Sequence, residues 1–138
     1  MENPHPDLAP AEYLVLSRGQ WEPYHTKEEI QATIDRFYDW IEGMAQNGKM
    51  RKGSRLKVEG KVVSKNGVIT DGPFGEAKEV IGGYWTIIAS SLEEAAQLLS
   101  GNPCLERGLV FELRPLDPEV ATAFNITNET PAEFIDSQ

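Results

Sequence analysis

Two helix-start signals, each placed between segments with strand character, constrain the fold of this chain most strongly. Thr26–Glu29 and Ser91–Glu94 match the capping box, in which a hydroxyl and a glutamate three residues later cap backbone N–H groups reciprocally. Apolar residues recur at spacings of three and four over Ile30–Met44, which indicates one buried helix face. Asn47–Gly48 is expected to end this first helix, and Gly101 the second.

The segments around these helices have the apolar patterns of strands. They are Tyr13–Ser17, Arg55–Glu59, Val80–Ala89 and Leu109–Leu113. A further pair, Lys61–Ser64 and Val68–Thr70, flanks Asn66-Gly67, a dipeptide that tolerates positive φ and therefore predicts a hairpin. The order is strand, helix, strand with hairpin, strand, helix, strand. It predicts an α+β fold: a ferredoxin-like split βαβ with an inserted β-hairpin, and an antiparallel sheet with two helices on one face.

The length of 138 residues, 40% of them hydrophobic, suits one domain with a modest core. Residues 1–11 contain three prolines and little to bury, so we predict a flexible N-terminal arm there. The folded domain is predicted over residues 12–116. A partly ordered C-terminal extension is predicted over residues 117–138.

The acidic balance of the chain argues against several partner classes. Acidic residues outnumber basic ones by 22 to 13, a formal charge of −9, which disfavours nucleic acids and anionic membranes. The basic residues concentrate between Lys49 and Lys65, where the simplest interpretation is a solvated strand edge and the alternative is a local anion site. No apolar run approaches the length of a membrane span.

Cysteine usage and the N-terminal residues predict a cytoplasmic location. Cys104 is the single cysteine, so no intrachain disulfide is possible. The first residues lack the apolar core of a signal peptide. With no activating neighbour visible in the sequence, Cys104 is interpreted as a small buried hydrophobe rather than a nucleophile.

The segment Asp71–Glu79, with the letters DGPFGEAKE, is followed at once by Val80–Trp85, VIGGYW. Together they resemble the DGPF branch of the YCII-related family, although Gly75 stands where relatives often carry alanine. Members are small bacterial proteins with a ferredoxin-like fold that pair as dimeric α+β barrels. The resemblance therefore implies that fold and a homodimer. It implies no reaction, because the family has no settled activity.

The strands also place bulky side chains on both faces of the sheet, while one layer of helices covers only one face. These residues are Tyr84, Trp85, Ile87, Ile88, Phe111 and Leu113. An exposed apolar face of this size is typical of an interface. We therefore predict that the homodimer forms through the open sheet face.

The corner Asp71-Gly72-Pro73 has a structural and a functional interpretation. As a turn, the aspartate bonds forward to backbone N–H groups, glycine permits unusual φ and proline fixes the next residue. As a site, the same corner holds the Asp71 carboxylate beside a cleft, where it acts as a base or anchors a ligand. Gly82 and Gly83 predict a bulge or a close backbone approach nearby.

The residues after this corner are candidates for ligand binding. Phe74 is either a core residue or a stacking platform. Glu76, Lys78 and Glu79 are either surface ion-pair partners or groups that meet a bound anion, and they match the acidic, basic and acidic positions of the family. The prediction is that Phe74 and these three residues line the ligand site.

His25 stands just before the first helix, where a histidine is commonly an exposed loop residue. Relatives in the other branch of the family carry a histidine near this position that is proposed to pair with an acidic residue, so the resemblance implies an acid–base pair of His25 and Asp71. His25 with Glu28 or Glu29 has ligand-like spacing, but so few groups do not define a metal site. We predict no metal and no cofactor.

These observations favour the binding of a small organic metabolite in a cleft beside the Asp71–Glu79 loop, with acid–base catalysis by Asp71 and His25 as one version of it. The alternative is a non-catalytic regulatory or protein-interaction module linked to transcription, since some family members are associated with sigma factors. Related barrels that are isomerases or cofactor-free oxygenases give only an analogy at the level of the fold.

Overall fold

A computed structural model describes residues 9–71, 81–119 and 122–135 of the chain. Its elements follow the predicted order. They are β1 (Ala11–Arg18), α1 (Lys27–Gln46), β2 (Met50–Arg55), β3 (Lys61–Ser64), β4 (Gly67–Asp71), β5 (Ile81–Ala89), α2 (Leu92–Leu99), a 3₁₀ helix (Pro103–Arg107), β6 (Val110–Pro115) and α3 (Ala132–Ile135).

The main sheet contains four strands in the order β2-β5-β1-β6, and every neighbouring pair is antiparallel. This order is that of the split βαβ arrangement, in which β5 separates β2 from β1. Strands β3 and β4 pair only with each other in the described residues, as a two-stranded hairpin inserted between β2 and β5. The predicted α+β fold class with its inserted hairpin is confirmed.

The second strand lies earlier than its sequence pattern indicated. The prediction placed it at Arg55–Glu59, whereas β2 is Met50–Arg55. Leu56 and Val58, whose alternation with charged residues produced that prediction, are exposed, at 45% and 57%. Met50 is buried instead and pairs with Ile87. The predicted exposure of these residues agrees with the structure, but the position of the strand was wrong, because the segment after Arg55 does not pair with β5 as a strand.

Each long helix begins at its predicted cap. In α1 the Glu29 N–H donates to Thr26 Oγ1 over 3.1 Å, and the Thr26 N–H donates to Glu29 Oε1 over 2.8 Å, so the capping box is complete. In α2 only half of the box forms. The Glu94 N–H donates to Ser91 Oγ, but the Glu94 carboxylate accepts from the Ser90 N–H.

The core lies between the sheet and its helices. One cluster joins β1, β5, α1 and α2, so both long helices cover the same sheet face. Its central residues are Val15, Phe37, Trp85, Ile87 and Leu99, all at most 7% exposed. This face positions the cavity described below.

The opposite face of the sheet has no helix over it within the described residues. Leu14 and Leu16 of β1 are half-buried there, and Tyr84 of β5 is 42% exposed. An ion pair of 2.6 Å joins Arg18 to Glu112 on the same face. The hydrogen bond from Arg18 holds the pKa of the Glu112 carboxyl below its usual value.

Candidate functional site

A cavity of about 530 Å³ opens between α1 and the helix-covered face of the sheet. Ile34, Phe37 and Tyr38 of α1 form its roof. The segment Gly19–Trp21, which follows β1, forms one side wall, and Leu109, immediately before β6, also lines the cavity. The cavity therefore lies at the end of the sheet where the chain leaves β1 for α1, beside the end of β2 and the start of β6.

One row of residues crosses all four strands and forms part of the cavity floor. The pairing register places Arg55 of β2 and Ser17 of β1 on either side of Gly83 in β5, and Ser17 opposite Phe111 of β6. Cross-strand partners project to the same face of an antiparallel sheet. Arg55, Ser17 and Phe111 are cavity residues, as this register requires.

Gly83 leaves room in the middle of that row for the Trp85 indole. A Cβ atom at this position would lie 2.8 Å from Trp85 Cη2 and 2.9 Å from the Ser54 carbonyl oxygen, both closer than such atoms can approach. The Trp85 indole therefore leans over Gly83 and occupies the space of the absent side chain. Any larger residue at position 83 would displace this ring.

Gly82 supplies the β-bulge at the rim of the cavity. Ser17 pairs with Gly83, but Arg18 pairs with Ile81, so Gly82 is the extra residue in β5. Its carbonyl accepts a hydrogen bond of 2.8 Å from the Leu56 N–H. The bulge and the close approach expected at this glycine pair are both present.

The apolar walls of the cavity are aromatic. Phe37 meets Trp85 edge to face with ring centroids 5.3 Å apart, and Phe111 lies 6.1 Å from Phe37 and 6.2 Å from Trp85. These separations are in the favourable range for aromatic pairs. The three neighbouring rings form an apolar surface beside Arg55 and Ser17.

Cys104 also lines this cavity, but it is not an activated nucleophile. It is 3% exposed, and burial raises the pKa of its thiol to about 11. The thiol is therefore protonated near neutral pH, and the thiolate is the reactive form. The interpretation of Cys104 as a small buried hydrophobe agrees with this environment.

His25 lies in a polar network of its own. Its side chain is only 8% exposed, so it is not an exposed loop residue. Nε2 lies 2.8 Å from Glu22 Oε1, and Nδ1 lies 3.2 Å from a guanidinium nitrogen of Arg107. Because a guanidinium only donates, Nδ1 accepts and Nε2–H donates to Glu22. This hydrogen bond is the main cause of the lowered pKa of the Glu22 carboxyl.

The network ties the segment after β1 to two other elements. Arg107 Nε donates to Thr33 Oγ1 of α1 over 3.2 Å, and the Glu22 N–H donates to the Arg107 carbonyl over 2.9 Å. Trp21, the wall of the cavity, immediately precedes Glu22. His25 itself is not among the described cavity residues. Its hydrogen bond to Glu22 instead helps to hold the neighbouring Trp21 in the cavity wall.

The remaining predicted site residues lie largely outside the described residues. These are Gly72, Pro73, Phe74, Glu76, Lys78 and Glu79. Asp71 ends β4, where its backbone pairs with Lys61, but its side chain is not described. The pairing of Asp71 with His25 therefore stays a prediction.

Most described residues of the cavity were not predicted as site residues, and Arg55 is the charged one among them. Arg55 was grouped with basic residues interpreted either as a solvated strand edge or as a local anion site, and its exposed position agrees in part with the first. Gly53 was the residue in the sequence that could have indicated this position. The bulge at Gly53 changes the face of β2 to which the following residues project.

Neither a metal site nor a membrane span is found in the described parts of the chain. In residues 9–71, 81–119 and 122–135, no three or more histidine, cysteine, aspartate or glutamate side chains group closely enough for a metal ion. Within the same ranges, no helix combines the length and apolar character needed to cross a bilayer.

Comparison with known proteins adds one informative match. The family model described as the YCII-related domain matches residues 11–117. No curated protein matches the chain significantly. Among solved structures, a hydroxynitrile lyase from Passiflora edulis aligns over its whole length with 82% of this chain, at 10% identity and a TM-score of 0.39. A likeness of that degree does not extend to activity.

Proposed function

This chain belongs to the YCII-related domain family, whose model matches residues 11–117, and from that premise we propose that it binds a small organic molecule in the cavity under α1. The cavity is the observation that carries the proposal. Its volume of about 530 Å³ is within the usual range of small-molecule sites. Its lining of aromatic rings with a few polar groups is also typical of such sites.

The Asp71–Glu79 loop is proposed to complete this site. It leads within a few residues into Gly82, which lines the cavity, and Gly83, which lies under the Trp85 ring of the lining. On this proposal Phe74 contacts the ligand, Glu76, Lys78 and Glu79 lie at the rim, and Asp71 presents its carboxylate to the cavity. Gly72 and Pro73 shape the corner that directs the loop.

Acid–base catalysis by Asp71 and His25 is the second step of the proposal. His25 already donates to a carboxylate and accepts from Arg107, so a proton transfer would require it to exchange one of these partners. In the non-catalytic alternative, the domain acts as a regulatory module through protein contacts, and a ligand would not be converted. The free Cys104 suits the reducing cytoplasm that we propose for either case.

A thermal-shift screen of the full chain against small organic metabolites tests the binding proposal. A ligand at a hundred times its Kd stabilises the folded state by about 2.7 kcal/mol, which raises Tm by several degrees. We expect Ile34→Phe, which adds volume to the roof, to abolish the shift. We expect Asp71→Asn to retain the fold and also lose the shift.

Ile30→Phe is the matched control, because Ile30 lies one turn earlier on α1 and is not among the described cavity residues. It should leave the ligand-induced shift unchanged. The binding proposal would be wrong if no compound stabilised the protein, or if Ile34→Phe bound as well as the parent chain. Unchanged binding by Asp71→Asn would remove only the role of the Asp71 carboxylate.

We further propose that the open sheet face forms a homodimer, as in the dimeric barrels of the family. The apolar side chains of Leu14, Leu16 and Tyr84 lie on this face beside the ion pair of Arg18 with Glu112. Light scattering at micromolar concentration should report about twice the 15.4 kDa mass of one chain.

A buried charge in that interface should dissociate the dimer. We expect Leu16→Glu to give the mass of a single chain, whereas Val63→Glu on the exposed hairpin should not. A parent protein that is monomeric at these concentrations would contradict the dimer.

A further inference from the structure

We propose that the ligand of this cavity is a planar aromatic acid, whose ring lies against Trp85 and Phe111 and whose carboxylate pairs with Arg55. The inference rests on the proposed function, since it names the chemical class that the same cavity accepts. It follows from the charge of the lining, the position of Arg55 and the arrangement of the rings.

The charge of the cavity is opposite to that of the whole chain. The chain carries 22 acidic and 13 basic residues. Among the described residues that line the cavity, Arg55 is the single cation and no carboxylate is present. The other polar groups of the lining include the Ser17 and Tyr38 hydroxyls, and Cys104 is a neutral thiol. Within this described lining, an anion therefore meets the positive charge of Arg55 without an opposing carboxylate. The Asp71, Glu76 and Glu79 carboxylates of the proposed loop are not part of the described lining.

Arg55 is also available to pair with a ligand, whereas two neighbouring cations already pair with carboxylates. Arg51, on the same strand, pairs with Glu12 on the opposite sheet face, and Lys57 pairs with Glu59 over 3.3 Å. The Arg55 guanidinium has no hydrogen bond or ion pair with any residue that the structure describes. A guanidinium beside an apolar wall binds a planar carboxylate with two parallel hydrogen bonds.

The aromatic side chains of the cavity favour a ligand whose uncharged part is a flat ring system. Phe37, Trp85 and Phe111 contact one another and present their surface along the row that begins at Arg55. A flat ring system can lie against this surface while its acid group reaches the end of the row. A phosphate ester or a nucleotide fits less well, because such groups usually meet several cations or a set of backbone N–H groups.

Calorimetric titration of the full chain with 2-naphthoate and its uncharged isostere 2-naphthamide tests the inference. We expect the acid to bind at least about tenfold more tightly than the amide, as one charge-assisted pair would provide. Arg55→Gln should abolish this preference and retain binding of the amide. Arg51→Gln, on the same strand but the opposite face, should leave the preference unchanged.

The results separate this inference from the proposed function. Equal affinity for acid and amide, or a preference that survives Arg55→Gln, would overturn the aromatic-acid assignment. Binding of the amide that Ile34→Phe abolishes would still support the cavity as a ligand site. Failure of both probes would overturn the assignment, and the metabolite screen would then decide the proposed function separately.

Discussion

Gly53→Ala is expected to destabilise the protein by about 3 kcal/mol or more, because the backbone of β2 at this glycine lies against the backbone of β5. A Cβ atom at position 53 would lie 2.6 Å from the Tyr84 carbonyl carbon and 3.0 Å from Trp85 Cα, and would collide with the Tyr84 carbonyl oxygen. All three atoms belong to the backbone. A rotamer change cannot relieve the contact, so β2 must separate from β5.

Gly43→Ala is the control for this prediction. Gly43 lies inside α1, and no neighbouring atom comes within 4 Å of the place where an alanine methyl group would lie. Alanine there should therefore stabilise the helix by about 0.5–1 kcal/mol. Chemical denaturation at one protein concentration compares the two variants with the parent chain. If Gly53→Ala were as stable as the parent, the close approach of β2 to β5 would be incorrect.

Ile87→Ala is expected to lower the free energy of unfolding by about 2–5 kcal/mol. Ile87 has no exposed surface, and it lies in β5 between Tyr13 of β1 and Met50 of β2. Removing its side chain leaves a cavity between the helices and the centre of the sheet, where three strands are held in register by their hydrogen bonds. Such a site cannot collapse around the smaller residue without breaking the pairing.

Ile126→Ala makes the same chemical change at a residue that is 62% exposed, and should alter stability by less than about 0.5 kcal/mol. Urea denaturation measures both, with protein concentration held constant because a dimer would make stability depend on it. Similar effects of the two substitutions would show that Ile87 is not at the centre of the core.

Local patterns were sufficient to predict most of the fold. The helix caps at Thr26 and Ser91 and the hairpin at Asn66-Gly67 depend on residues within a few positions of each other, so short segments specify them. Two local predictions were incorrect in detail. The Ser90 N–H donates to the Glu94 carboxylate, which therefore does not complete the second capping box. The alternating residues after Arg55 are exposed and do not form a strand.

The candidate site could be predicted only in part. The sequence predicted a role for the glycine pair at the cavity, and it predicted a role for His25. It did not indicate that His25 is buried in a network with Glu22 and Arg107. That network joins residues 82 positions apart, a separation that no local pattern reports. The predicted roles of Asp71, Phe74, Glu76, Lys78 and Glu79 stay predictions for the experiments above.

The sequence by itself determined the order of the elements, because hydrophobic period, caps and turn residues act over short distances. Tertiary structure decided which side chains meet in the cavity. Met50 and Arg55 are an odd number of residues apart, and a regular strand would direct them to opposite faces. The irregular pairing of β2 with β5 between Arg51 and Ser54 places both on the helix-covered face. The backbone of Gly53 can approach β5 there because glycine has no Cβ, and this close packing turns Arg55 toward the cavity.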